Sequence, residues 1–202
     1  RNIIATYQLN SLDRSLCIMP LFHVHGLVAS LLSTFGSGGT VVIPPSFDAL
    51  RFWSIVNDYN VTWFTAVPSM HQVLVRRAIR SSRPDSSLHK SLRFIRSCSS
   101  PLAPSTSESM EKLFGVPVVE AYGMTEASHQ MSSNPLPPKT RKPGTVGIST
   151  GVSIEVMDAT GCILDRGATG EIVIRGMNVI SGYEGNSLAN KDAYTNGWFR
   201  TG

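Results

Sequence analysis

Apolar residues in the first two thirds of the chain fall in short runs separated by amphipathic stretches. Ser15-Leu16-Cys17-Ile18-Met19 predicts a strand, and His25 to Phe35 a helix closed by Gly36-Ser37-Gly38-Gly39. Thr40-Val41-Val42-Ile43 predicts a second strand, stopped by Pro44-Pro45. Over Asp48 to Tyr59, residues Phe52, Trp53, Val56 and Tyr59 recur at helical spacing and share one face. Val61 to Val67, Leu92 to Ile95 and Val116 to Glu120 predict further strands. Ser69 with Gln72, and Ser105 with Glu108, stand three residues apart, the spacing of a capping box at a helix start. The polar stretch Arg80 to Lys90 reads as a surface loop. Repeated strand–helix alternation with brief crossovers predicts an α/β fold: a parallel sheet with helices on both faces.

The pattern changes after Asn134. Pro135, Pro137, Pro138 and Pro143 predict an extended linker. Val152 to Met157 and Glu171 to Arg175 then alternate with period two, separated by Asp158-Ala159-Thr160-Gly161 and Arg166-Gly167-Ala168-Thr169-Gly170. Strands of that kind with tight turns predict a small antiparallel sheet or barrel. The expected organisation is an α/β subdomain over 1–134, incomplete at its start, a linker over 135–150, and a β subdomain over 151–202, incomplete at its end.

The length, 202 residues, suits one large domain or one domain and part of another. With 42% hydrophobic and 16% charged residues, the chain is able to bury a full core. The net charge of +4 is modest and its basic residues are scattered, which argues against a nucleic-acid surface. Cys17, Cys98 and Cys162 lie far apart with no metal-ligand spacing, and read as reduced thiols. No signal peptide or membrane-length apolar run is present in this sequence. Arg1 opens the chain without a methionine and Trp198 to Gly202 closes it on a turn, so it reads as an internal piece of a longer protein.

Four segments carry candidate chemistry. The run Val116, Val118, Val119 ends at Tyr122-Gly123-Met124-Thr125-Glu126. Open parallel sheets place ligands beyond the carboxyl ends of their strands. A hydroxyl and a carboxylate at such an edge suit a phosphate and its Mg²⁺, since hard cations take oxygen ligands; the same turn also serves as an ordinary helix start. Met19-Pro20-Leu21-Phe22-His23-Val24-His25-Gly26 puts His23 at the sheet edge, as a pocket residue or as a helix cap. Ser97-Cys98-Ser99-Ser100-Pro101-Leu102 lies at another strand end, where small residues admit a flat ring and hydroxyls donate hydrogen bonds; it also suits a plain loop. His129, after Ala127-Ser128, is a candidate partner for a carboxylate. Glu171 and Arg175, four apart on one strand face, read as solvated side chains, and Gly197 to Gly202 as a turn.

Taken in order, these segments resemble the adenylate-forming superfamily of acyl-CoA synthetases, peptide adenylation domains and beetle luciferases, over essentially the whole chain. Pro20 to Gly26 is similar to that family's substrate-pocket segment, Ser97 to Leu102 to its adenine loop, and Tyr122 to Glu126 to its signature, as are Gly170 to Gly176 and Gly197 to Gly202. The resemblance implies an ATP-dependent acid–CoA ligase that makes an acyl-adenylate and passes the acyl group to coenzyme A. It implies that Thr125 holds a phosphate oxygen, Glu126 binds Mg²⁺ and Tyr122 stacks on adenine. Ser99, Ser100, Pro101, Glu120, Ala121 and Gly123 would line the nucleotide site, and His23, Ser99, His129 and Ser133 the acyl site. Cys98-Ser99-Ser100 departs from the family's Gly-Ala-Ala and adds hydroxyls near the acyl group. Ser99, Ser100, His129 and Met131-Ser132-Ser133-Asn134-Pro135 resemble the branch of plant and fungal oxalate–CoA ligases, and buried hydroxyls and an imidazole suit a small polar acid. A 4-coumarate- or fatty-acid-CoA ligase, a non-catalytic nucleotide-binding relative and a luciferase-like monooxygenase are the alternatives. The family's phosphate loop, ribose-binding aspartate and adenylating lysine fall outside these residues, so this piece alone is expected to be inactive. The expected address is cytoplasmic, with a peroxisomal one as the alternative.

Overall fold

The computed structural model describes residues 1–80 and 90–202. Helix α1 (Asn2–Tyr7) leads into β1 (Arg14–Leu16). A π-wound helix (His25–Leu32) then runs directly into α2 (Ser33–Gly36) and β2 (Thr40–Val42). Next come α3 (Phe52–Asp58), β3 (Trp63–Ala66), α4 (Pro68–Arg80), β4 (Phe94–Ser97), α5 (Pro104–Phe114) and β5 (Val118–Met124). A single 3₁₀ turn (Thr125–Ala127) separates β5 from β6 (His129–Ser133), and β7 (Ile148–Ser149) follows. These strands form one sheet in the order β2-β1-β3-β4-β5-β6-β7. The pairings from β2 to β5 are parallel; β5–β6 and β6–β7 are antiparallel.

Both faces of the parallel part are covered, which is why its strands lack polar alternation. Leu16, Phe64, Ala66, Ile95 and Val118 pack on one face against Phe52 and Val56 of α3, Leu74 of α4, and Met110 and Phe114 of α5. Trp63, Phe94 and Val119, one residue out of phase, pack on the other face against Ile3 and Tyr7 of α1 and Ala29 of the π-helix. The Trp63 and Phe94 rings stack 5.4 Å apart, a contact worth about 0.5–1.5 kcal/mol beyond its area. A second, antiparallel sheet has the order β10-β11-β9-β8, with β8 (Ser153–Met157), β9 (Glu171–Arg175), β10 (Tyr194–Thr195) and β11 (Trp198–Arg200). Helix α6 (Ser187–Asp192) precedes β10. Val152, Ile174 and Phe199 of this second unit share a core with Ala127 and Met131, so it packs beside the end of β5.

Several expectations are corrected. Neither capping box forms: α4 begins at Pro68 and α5 at Pro104, whose N-cap Ala103 makes no side-chain bond. Proline at the first helical position has no N–H to satisfy and a preset φ, so it starts the helix without a capping side chain. The strand expected to end at Glu120 runs on to Met124. His129–Ser133, unpredicted as a strand, is wholly buried and carries no alternation to reveal it. Gly197 to Gly202 is not a lone turn: Asn196-Gly197, both at positive φ, close a hairpin between β10 and β11. Glu171 and Arg175 are not merely solvated. Glu171 pairs with Arg200 and accepts the Gly202 N–H at 3.1 Å, and the Arg175 guanidinium lies 4.5 Å from the Trp198 ring centre. Within 135–150, expected as a linker, β7 pairs with β6. The loop expected over Arg80 to Lys90 lies, for 81–89, outside the described residues.

Candidate active site

Because β1, β3, β4 and β5 are parallel, the segments that follow them emerge at one edge of the sheet. A cleft of about 270 Å³ opens there and brings together His23, Ser99, Gly123, Thr125, Glu126 and His129. Two glycines make the approach feasible. A Cβ at Gly26 would collide with the carbonyl oxygens of Met19 and Pro20, where the π-helix starts against the end of the β1 segment. A Cβ at Gly123 would overlap the carbonyl oxygen of His129, across the β5–β6 irregularity. The glycine of the Tyr122–Glu126 motif is therefore what lets His129 close over the cleft. Ser99 (φ 72°) and His129 (φ 85°) both hold left-handed backbone. That conformation costs a non-glycine residue roughly 1–2 kcal/mol and collects at functional sites.

Behind the cleft lies a buried polar network centred on Arg96, which is fully buried on β4. Its Nε donates to the Tyr7 hydroxyl (3.0 Å), Nη2 to Gln130 Oε1 (3.0 Å) and Nη1 to Thr65 Oγ1 (2.9 Å). The Tyr7 hydroxyl also meets Gln130 Oε1 (3.0 Å) and Ser133 Oγ (2.8 Å). Thr65 continues the network to His25 Nε2 at 2.6 Å, and His25 Nδ1 lies 3.0 Å from Ser99 Oγ at the cleft. The His25 and His129 rings meet edge to face, 5.0 Å between centres. Burial, reinforced by the Arg96 charge, lowers both imidazoles to about 2, so both are neutral at physiological pH. His129 Nδ1 is buried and, among the described residues, has no partner within hydrogen-bonding distance. Arg96 is attended by hydroxyls and an amide, and among the described residues no carboxylate pairs with it.

On the opposite side, Thr125 is exposed and Glu126 half-buried. The Tyr183 hydroxyl donates to one Glu126 oxygen at 3.0 Å, and the Glu126 carbonyl accepts the Ile180 N–H at 2.8 Å. The second unit thus orients the acid that faces the cleft. Among the described residues no cluster of three metal-ligating side chains exists. Glu126 and the neighbouring Thr125 hydroxyl nevertheless fit Mg²⁺, which is commonly held by one or two carboxylates together with substrate phosphates and water.

The other sequence-predicted residues lie differently. Ser100 and Pro101 are exposed on the loop beside the cleft, with Ser100 Oγ bonded to the Ser99 carbonyl at 2.7 Å. Tyr122 packs with the second unit's core, and Ala121 is buried opposite Ser133 in the β5–β6 pairing. The Glu120 carboxylate accepts the Gly144 N–H at 2.9 Å. Ser133 is fully buried and sits in the Arg96 network rather than at the cleft wall. His23 caps as well as lines: its Nδ1 accepts the His25 N–H at 3.1 Å. Sequence reasoning missed His25, Arg96, Tyr7 and Gln130 as parts of the site. Arg96 carried a signal, as a charge directly after the apolar pair Phe94-Ile95 and before Ser97-Cys98.

Residues 1–184 match the family described as AMP-binding enzyme. The chain is 50% identical to an oxalate–CoA ligase of Saccharomyces cerevisiae, covering all of this chain and 36% of that protein. It is 47% identical to an oxalate–CoA ligase of Arabidopsis thaliana, covering all of this chain and 39% of the relative. The ATP-bound structure of MatB from Rhodopseudomonas palustris superposes with a TM-score of 0.90 at 30% identity, over all of this chain and 39% of that one. The chain therefore spans less than two fifths of the length of these curated relatives.

Proposed function

This chain belongs to the AMP-binding enzyme family, and on that premise we propose that it carries the acyl and α-phosphate half of an ATP-dependent acid–CoA ligase acting on a small polar acid such as oxalate. The protein joins the acid's carboxylate to the α-phosphate of ATP with release of pyrophosphate, and the acyl-adenylate is then attacked by the thiol of coenzyme A. What the chain contributes is positioning and charge neutralisation. The Thr125 hydroxyl donates to a phosphate oxygen. Glu126, steadied by Tyr183, would hold Mg²⁺, which when bound offsets phosphate charge. The loop Ser99-Ser100-Pro101 and the strand Glu120-Ala121-Tyr122-Gly123 border the nucleotide, with the Tyr122 ring against adenine. His23, Ser99 and His129 border the acyl group, while Ser133 acts at one remove by holding Tyr7.

The observation that carries the substrate preference is the acyl end of the cleft. It is walled by the Ser99 hydroxyl and the His23 and His129 imidazoles, with the buried His25 ring behind Ser99 and a fully buried arginine beyond it that, among the described residues, no carboxylate pairs with. Such a wall leaves polar groups unpaired against an alkyl or aryl chain and meets a short anionic acid with hydrogen bonds. The names of the two relatives, both oxalate–CoA ligases, point the same way. The test is a panel of oxalate, acetate, 4-coumarate and a long-chain fatty acid, run on the full-length protein with ATP, Mg²⁺ and coenzyme A, following AMP and pyrophosphate release. Oxalate is expected to give the highest kcat/KM. A preference for the coumarate or the fatty acid contradicts the reading.

A further inference from the structure

Along the branch Arg96–Thr65–His25–Ser99, only one arrangement of hydrogens leaves none stranded. Arg96 is always a donor, so the Thr65 oxygen receives the Arg96 Nη1 hydrogen at 2.9 Å. Thr65 is 1% exposed, and its own hydroxyl hydrogen needs an acceptor. Among the described residues, the one other atom bonded to that oxygen is His25 Nε2, at 2.6 Å. Thr65 therefore donates to Nε2, which must be bare. The neutral ring then carries its hydrogen on Nδ1 and donates it to Ser99 Oγ at 3.0 Å. With its oxygen engaged as acceptor on that side, the Ser99 hydroxyl turns its own hydrogen toward the cleft that it lines. The reverse arrangement, with Nε2 protonated, would leave a buried Thr65 hydrogen with no acceptor.

We propose that Arg96, acting through the Thr65 hydroxyl, fixes the proton of His25 on Nδ1 and so leaves the Ser99 hydroxyl hydrogen free for donation to a second acceptor group, a carboxylate oxygen, on the acid. Thr65 and Arg96 are on this account positioning residues that touch no substrate. Several independent observations agree. Ser99 is held at φ 72°, a cost that only a fixed position justifies. The register places Thr65 directly beside Arg96 on neighbouring strands. The Arg96 guanidinium, paired with no carboxylate among the described residues, opposes an imidazolium at His25, which would donate at both nitrogens and break the relay. The part of this inference that concerns the acid rests on the proposed function; the part that concerns the proton does not.

The test has two arms on the full-length protein. Histidine-selective ¹⁵N labelling, with the His25 resonances assigned by their loss in His25→Asn, reads the tautomer directly. The wild type is expected to show Nδ1 protonated and Nε2 bare, Thr65→Val to lose that preference, and Thr65→Ser to restore it. An Nε2-protonated ring in the wild type, or an unchanged tautomer in Thr65→Val, overturns the proposal whatever the substrate is. In the second arm, kcat/KM is compared for oxalate and acetate. Thr65→Val is expected to lower the oxalate-to-acetate ratio by about 10- to 100-fold, the loss of one hydrogen bond to a charged group, with recovery in Thr65→Ser. An equal fall on both acids, or a Thr65→Ser as impaired as Thr65→Val, shows general damage and overturns the relay. If the protein turns over neither acid, the proposed substrate fails while the ¹⁵N arm still decides the proton's position.

Discussion

Acid should unfold this protein at a pH where most carboxylates are still charged. His25, His71 and His129 are buried and neutral, with their ordinary 6.5 lowered to about 2, about 4 and about 2, in each case first by burial. In the unfolded chain all three take up protons near their ordinary value. A base whose folded pKa is depressed keeps its full contribution to stability above the unfolded value, and loses it as pH falls from there toward the folded one. At about pH 5 each unfolded histidine gains about 2 kcal/mol from a proton that the folded form does not accept, so the three together remove about 6 kcal/mol. That loss matches the whole stability of many domains, about 5–15 kcal/mol. Urea unfolding followed from about pH 7.5 down to about pH 5 should show the unfolding free energy falling, with a slope approaching three protons at the acid end. His71, fully buried against Phe64 on the face of the sheet away from the cleft network, isolates one proton: His71→Leu should reduce the slope to about two. A slope below about one proton in the wild type would mean that these imidazoles are hydrated or paired, and not buried neutral bases.

Two further substitutions probe the network and the cleft. Tyr7→Phe keeps the ring in its core but removes an acceptor for Arg96 Nε and a bond to Gln130 or Ser133. One charge-assisted and one neutral bond together predict a loss of about 2–4 kcal/mol in urea unfolding, and a loss under about 0.5 kcal/mol would show that the hydroxyl is not engaged. Glu126→Gln removes the charged oxygen ligand proposed for Mg²⁺, so adenylation at limiting Mg²⁺ should fall by on the order of 10-fold or more; unchanged adenylation there would remove Glu126 from that role.

The parallel sheet is legible because its central strands are apolar on both faces and its helices fall between them at regular spacing. Trp63-Phe64 and Phe94-Ile95 announce buried strands, and their register follows from which residue faces which helix layer. What escapes local reading is set by tertiary contact. Helix α1 has no capping side chain and is held by Ile3 and Tyr7 against the sheet. Strand β6 is polar in sequence yet wholly buried, because His129 lines the cleft and Gln130 and Ser133 belong to the Arg96 network. The motif Tyr122 to Glu126 marks the cleft, but the reason for its glycine, the approach of the His129 carbonyl, exists only in the folded pairing. His23 and His25 look alike in the sequence. The winding of the π-helix leaves His23 at the rim and turns His25 inward to Thr65.

On the proposed function, an acid's carboxylate meets the α-phosphate of a nucleotide in the one cleft at the ends of β1, β4 and β5. A crystal structure of the full-length protein with AMP and oxalate bound decides this. The phosphate is expected beside the Thr125 hydroxyl and the acid between Ser99 and His129. AMP bound elsewhere, or a cleft that stays empty at saturating ligand, would contradict it.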